Sequence, residues 1–221
     1  MGAFGGPDII TDGLVFAVDA GSDRSYPGSG TTTTNIINGA SGTLTNGVGY
    51  VSNNGGVFDF DGTDDFILFP DDTSLNLQTL TMESWSYLNT TIQQYGFLFE
   101  KGLVNTQYSN FFEGTNFIFR TMGLSTSSFN IASSLFSANS WNHIVCTYNS
   151  GTKRIYLNGI QVGVATGLTG TISTNANGPR IGAHSSGYYL DGEIAASRVY
   201  NKALTAAEVL QNYNAQKNRF I

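Results

Sequence analysis

At 221 residues the chain is long enough for one domain to bury roughly 70–75% of its unfolded surface. Only 12% of residues are charged while Gly numbers 27 and aromatics reach 13%, which excludes a self-repelling disordered chain and suits short strands joined by tight turns. A formal charge of −6 without a basic patch excludes a general nucleic-acid binder, and the lone Cys146 excludes an intramolecular disulfide and the usual zinc spacings.

The opening MGAFGGPDIITDG has neither a basic n-region nor an apolar h-region. No stretch approaches the ~18 apolar residues of a membrane span. Synthesis in a cytosol, with no signal peptide and no membrane insertion, is therefore expected. Residues 1–13 read as an N-terminal arm and 14–221 as one domain.

Period-2 alternation in short runs then predicts strands along the chain. They fall at Leu14–Asp19, Gly56–Phe60, Asp65–Phe69, Leu80–Leu88, Tyr95–Lys101 and Phe117–Arg120. Others follow at Ser127–Ser134, Ser140–Tyr148, Lys153–Leu157, Ile160–Ala165, Arg180–Gly182 and Glu193–Tyr200. Between the first two, residues 21–54 read as long loops with short strands near Gly42–Thr45 and Gly49–Val51, and Asn46-Gly47 marks a turn. In VFDFDG, Phe58 and Phe60 share one face and should be core. Trp85 and Trp141 sit in strongly alternating strands and read as core anchors. Asn158-Gly159 links two alternating runs and suits a type I′ turn.

One helix is predicted, at about 205–217, where Thr205 and Glu208 have the spacing of a capping box. Ala206, Val209, Leu210 and Tyr213 form its apolar stripe, so Leu210 and Tyr213 are expected in the core. Together these elements predict an all-β, two-sheet antiparallel sandwich with one short C-terminal helix.

Candidate chemistry is sparse. Cys146 lies in an apolar strand and reads as a buried, inert thiol. His143 reads as a half-buried strand residue and His184 as a loop residue. Carboxylates cluster at Asp59, Asp61, Asp64 and Asp65, and again at Asp71 and Asp72. They can supply some of the six to eight oxygens calcium takes, but not in EF-hand spacing. Tyr188 and Tyr189, beside a loop, and Tyr95 and Tyr108, flanking another, are candidates for stacking on a sugar ring or a partner.

The segments FDFDGTDDFI (58–67), LTMESWSYL (80–88), SWNHIVCTYNSGTKRIYLNGIQVG (140–163) and DGEIAASRVYNKALTAAEVLQNYN (191–214) resemble, in order and spacing, the concanavalin A-like or laminin G-like jelly rolls. The resemblance implies a jelly-roll topology for the sandwich. Glucanases of this shape carry two or three carboxylates on one strand face, spaced for a nucleophile and an acid roughly 5–5.5 Å apart. Here Glu83 stands alone on the comparable strand, so it reads as a solvent-face or hydrogen-bonded residue and no catalytic residues are assigned. Resemblance to calcium-bearing relatives points to Asp19, Asn35 and Asp191, with Asp61, as a calcium set. Calcium is the one cofactor considered.

GLVFAVDAGSDRSYPGSGTT (13–32) and QNYNAQKNRF (211–220) resemble laminin G-like domains of tailed-phage structural proteins. The loop TTTNIINGASG (32–42) departs from those relatives by lacking an acidic residue and one Asn. The resemblance implies a non-enzymatic virion structural or decoration protein. Its partners would be capsid or tail proteins and host surface glycans, with homo-oligomers an option and nucleic acid not a partner. A secreted or surface lectin or adhesin, and a divergent glycan-active enzyme, are the alternatives.

Overall fold

Alternation carries somewhat under half of the chain into two antiparallel sheets. The computed structural model describes residues 7–90, 93–103 and 107–221. Within them the first strands are β1 (Leu14–Asp19), β2 (Thr32–Thr34), β3 (Ser41–Thr45), β4 (Gly49–Val51), β5 (Val57–Asp61) and β6 (Phe66–Leu68). The middle of the chain supplies β7 (Leu80–Leu88), β8 (Gln93–Lys101), β9 (Tyr108–Gly114), β10 (Asn116–Thr121), β11 (Ser128–Ala132) and β12 (Ser140–Asn149). Then follow β13 (Thr152–Leu157), β14 (Ile160–Ala165), β15 (Pro179–Ile181), β16 (Ala183–His184), β17 (Tyr188–Tyr189), β18 (Asp191–Tyr200) and the helix α1 (Ala206–Gln216).

The first sheet has the order β14-β13-β12-β7-β18-β5-β4, and the second β11-β10-β9-β8-β15-β6-β3-β2. β18 is long enough to pair with β5 along its first half and with β1 along its second, on the edge opposite β7. Between the sheets lies a core that includes Phe16, Phe58, Phe60, Phe99, Phe112, Phe117, Phe119 and Ile194. The Asn158-Gly159 turn has φ of 51° and 81°, the positive pair a type I′ hairpin needs. Gly182, at φ 86°, turns the chain out of β15 into the β16–β17 hairpin, and a Cβ there would lie 2.3 Å from the Phe60 ring. No helix among the described residues is long and apolar enough to cross a membrane.

The outer face of the first sheet is sealed by the C-terminal segment. Trp85 and Trp141 are buried there rather than between the sheets, with Phe220 stacked 4.3 Å from Trp85 and 4.7 Å from Trp141. The capping box forms as expected, with Thr205 Oγ1 accepting from the Glu208 N–H and Glu208 accepting from the Thr205 N–H. Residues of the N-terminal arm lie along this helix. The Ile10 N–H donates to Asn212 Oδ1 at 2.7 Å, Gln211 Nε2 donates to the Asp8 carbonyl, and Asp12 pairs with Lys202.

Four expectations need correction. Leu210 is not core: it is 45% exposed and rests over Gly159, because the helix turns Val209 and Asn212 to the sheet and only half-buries Tyr213. Tyr108 is not a surface aromatic but 2% exposed, its hydroxyl donating to the Leu75 carbonyl at 3.0 Å. It starts β9, a strand the alternation did not reveal. His143 is fully buried rather than half-buried, and His184 is a buried strand residue rather than a loop residue.

Candidate functional site

Strand pairing aligns a row of polar side chains across the outer face of the second sheet. Arg180 of β15 stands opposite Glu100 of β8, Glu100 opposite Ser109 of β9, Ser109 opposite Arg120 of β10, and Arg120 opposite Ser128 of β11. The next row on this face is apolar, with Phe97, Phe111 and Ile118 side by side. The β16–β17 hairpin folds over that row. It lays His184 on Phe97 at 4.7 Å and brings Tyr188 within 4.1 Å of Tyr95, so the rings run in sequence from Phe111 to the solvent. The Arg120 guanidinium covers Phe111 at 4.5 Å, close enough for a cation–π contact.

Burial sets the protonation of this face. Glu100 is 3% exposed, and desolvation pushes its carboxyl up to about 7 although the Ser185 N–H and the charges of Arg180 and Arg120 pull the other way. Desolvation also pushes His184 down to about 4, aided by the Arg120 and Arg180 charges. Because the Ser186 N–H donates to His184 Nδ1, the imidazole proton sits on Nε2, 3.2 Å from Glu100 Oε1. With those two pKa values the contact is not a pair of opposite charges near neutral pH. It joins a neutral imidazole to a carboxyl that titrates.

The contacting tyrosines named from sequence are split by the fold. Tyr95 and Tyr188 come together, with Tyr188 39% exposed; Tyr189 is half-buried, adjacent on the alternating β17; Tyr108 is inside. Glu100, Arg120, Arg180 and His184 were missed as site residues. For Glu100, Arg120 and Arg180 the only sequence signal was alternation within strands already recognised, and alternation does not say which strands become neighbours; His184 lay in a segment read as a loop.

The proposed calcium set is not assembled. Asn35 Oδ1 accepts from the Ala17 and Ile37 N–H groups, so it staples a loop to β1. Asp19 accepts from Arg219 Nη1 at 2.8 Å and faces Arg198. It pairs with Ala196 on β18, whereas Asp61 pairs with Asp191, and five residues of strand separate these positions by about 16 Å. Only Asp61 and Asp191 of the four are neighbours.

Glu83 is buried on the outer face of the first sheet, the hydrogen-bonded form of the two expected for it. Oε1 accepts from Arg198 Nη1 at 2.9 Å, and Oε2 accepts from Asn212 Nδ2 at 2.6 Å. Burial would raise this carboxyl, but His143, Arg198 and Asn212 together outweigh it and bring it down to about 2. His143 Nε2 lies 3.3 Å from Oε1. The group holds α1 to the sheet, and its Arg198 also faces the Asp19 carboxylate at 3.6 Å.

A family model described as the concanavalin A-like lectin/glucanases superfamily matches residues 61–210. The chain belongs to this superfamily. Solved structures agree on the fold. A sialidase of Trypanosoma rangeli superposes with a TM-score of 0.71 at 14% identity, over 96% of this chain and 34% of that one. The receptor binding domain of a botulinum neurotoxin mosaic serotype C/D gives 0.71 at 13%, over 93% and 51%. The binding domain of Paraclostridial Mosquitocidal Protein 1 gives 0.66 at 17%, over 92% and 52%. The chain thus spans about a third of the sialidase and half of each toxin fragment. No curated protein matches it by sequence. Within the superfamily description both binding and hydrolysis occur, so the side chains have to distinguish them.

For hydrolysis two carboxyls must flank the bond at roughly 5–9.5 Å. On the second sheet's outer face Glu113 lies four residues along β9 from Ser109, the neighbour of Glu100, which is about 13 Å of strand. On the first sheet, Asp59 and Glu193 do stand opposite each other. They project side by side from paired strands, in the same direction, and not across a cleft.

Proposed function

We propose that this chain is a non-enzymatic binding module that grips a glycan on the outer face of its second sheet, and that it is a structural or decoration protein of a tailed-phage particle. The observation that carries the binding reading is the Tyr95–Tyr188 ring pair beside Arg120 and Arg180, the half-buried cationic members of a row whose Glu100 and Ser109 are covered. A sugar ring offers an apolar C–H face for stacking and a rim of hydroxyls for charged hydrogen-bonding groups, and this surface presents both. Membership of a superfamily described by lectins is in keeping with it. The virion setting is supported by the resemblance of residues 13–32 and 211–220 to phage structural domains. Capsid or tail proteins are then its partners as well as host glycans.

Binding of the purified chain to a glycan array is expected, and Tyr188→Ala should weaken it at least about tenfold, since an aromatic contact of about 1.4 kcal/mol corresponds to that factor. The melting temperature should hardly move, because Tyr188 is at the surface. An array on which the wild type stays dark, or on which the variant binds equally, defeats the glycan reading. Electron microscopy of an intact particle tests the setting, and absence from the particle would favour a free adhesin. An enzyme would have to draw on the Asp59–Glu193 pair, so polysaccharide cleavage that disappears in Glu193→Gln would establish that alternative.

A further inference from the structure

The corner where β5 turns into β6 carries the chain from the first sheet to the second. Asp59 and Asp61, two residues apart on β5, stand opposite Glu193 and Asp191, two apart on β18, so all four share one outer face. The turn after Asp61 then returns Asp64 and Asp65 to its side. Carboxylate oxygens of Asp61, Asp64 and Asp65 all lie within 4.8 Å of one another. Among the described residues, none of Asp59, Asp61, Asp64 and Asp65 forms an ion pair with a cationic side chain.

A second observation concerns Asp65 itself. It is 4% exposed, its Oδ2 accepts only a long 3.3 Å bond from the Asp61 N–H, and its Oδ1 has no hydrogen-bond partner. A carboxylate oxygen withdrawn from water without a donor is costly, and crowding by like charges adds to the cost. A bound cation would reverse both penalties.

We propose that this corner is a calcium site, ligated by Asp61, Asp64 and Asp65 with solvent completing the shell. Oxygens bound to one calcium at about 2.3–2.6 Å can lie no further apart than about 4.6–5.2 Å, and the three acids already meet that limit. The donor set is all oxygen, which suits a hard cation and not zinc or copper. Asp61 and Asp64 are exposed on a turn, a deformable arrangement that calcium accepts and magnesium, with its small octahedral shell, does not. Asp59, Asp191 and Glu193 add negative potential beside the ligands without being required as ligands; Asp191 Oδ1 is already held by Asn89 Nδ2 at 2.6 Å.

The test is calorimetric titration of the chelator-stripped full chain with calcium chloride, alongside thermal melts. One site is expected, with a Kd in the roughly 10⁻⁴–10⁻³ M class of partly exposed sites, and a higher melting temperature in calcium. Asp64→Asn should weaken binding at least about tenfold while leaving the apo fold intact by circular dichroism, since its side chain is at the surface. Asp61→Asn should act alike. The absence of heat and of a melting shift at about 10 mM calcium would overturn the site. So would an unchanged response in both variants. An equal response to magnesium would mean diffuse screening of an acidic face, and would overturn it too. None of these outcomes bears on the glycan face around Tyr95 and Tyr188.

Discussion

Two carboxylates, Glu83 and Glu100, are each almost wholly removed from water on the outer face of a sheet, and they titrate in opposite directions. Glu83 lies under α1, where an arginine and an asparagine fill its lone pairs. Glu100 lies under a short hairpin, with a neutral imidazole and the backbone and side chain of Ser185 as its near partners and two arginines further off. Burial alone therefore does not mark a functional group. A buried charge whose partners balance it stabilises a joint, whereas one left unbalanced costs stability and keeps capacity for a ligand.

The largest effect should come from breaking the balanced joint. Arg198→Ala leaves Glu83 buried and uncompensated, and should cost about 3–5 kcal/mol, or roughly 10 °C in melting temperature. A loss below about 1 kcal/mol would show that Glu83 is not held as an ion. The Glu83 contribution is also pH-dependent. Its folded pKa lies below the unfolded value near 4.5, so the stability is present above that pH and is lost as pH falls toward 2.

The unbalanced face should behave in the reverse sense. Glu100 binds its proton more tightly folded than unfolded, so it lowers stability progressively as pH rises from about 4.5 through 7. His184 opposes this between about pH 4 and 6.5, because it binds its proton less tightly when folded. Glu100→Gln removes the first contribution. It should raise stability by roughly 1–3 kcal/mol at pH 8 and by little at pH 4.5, read by denaturant melts at the two pH values. A gain independent of pH would mean that the residue is not desolvated.

The smallest effect separates the two sides of α1. Leu210→Asp should cost no more than about 0.5–1 kcal/mol, since that side chain faces solvent over Gly159. Val209→Asp, one position earlier but fully buried, should cost several times as much, about 3 kcal/mol or more. Equal losses would mean the helix sits in a different rotation on the sheet.

Local patterns were legible wherever polar and apolar residues alternate along an element, even in β7, whose two faces are both covered. β1, β7 and β14 begin and end where alternation placed them, and the capping box and the Asn158-Gly159 turn depend on neighbours in sequence. β9 escaped because its apolar residues run together without a period of two: Phe111 lies under the hairpin side and Phe112 points into the sandwich. The helix stripe was placed on Leu210 because hydropathy favours leucine. The fold instead turns Asn212 inward, where Glu83 and Tyr200 satisfy its amide.

The amino-acid order by itself determined the alternating strands, their turns, the cap of the one helix and hence a sandwich, because each is set by contacts within a few residues. Tertiary structure alone decided which charges meet: Glu83 finds Arg198 across 115 positions, and Ser185 closes on Glu100 across 85. Strand order and the course of a hairpin over an open face govern those meetings, and neither leaves a periodic trace in the chain. Desolvation depends on what covers a group, so the pKa values that distinguish a structural carboxylate from an available one arise only once the sheets are assembled.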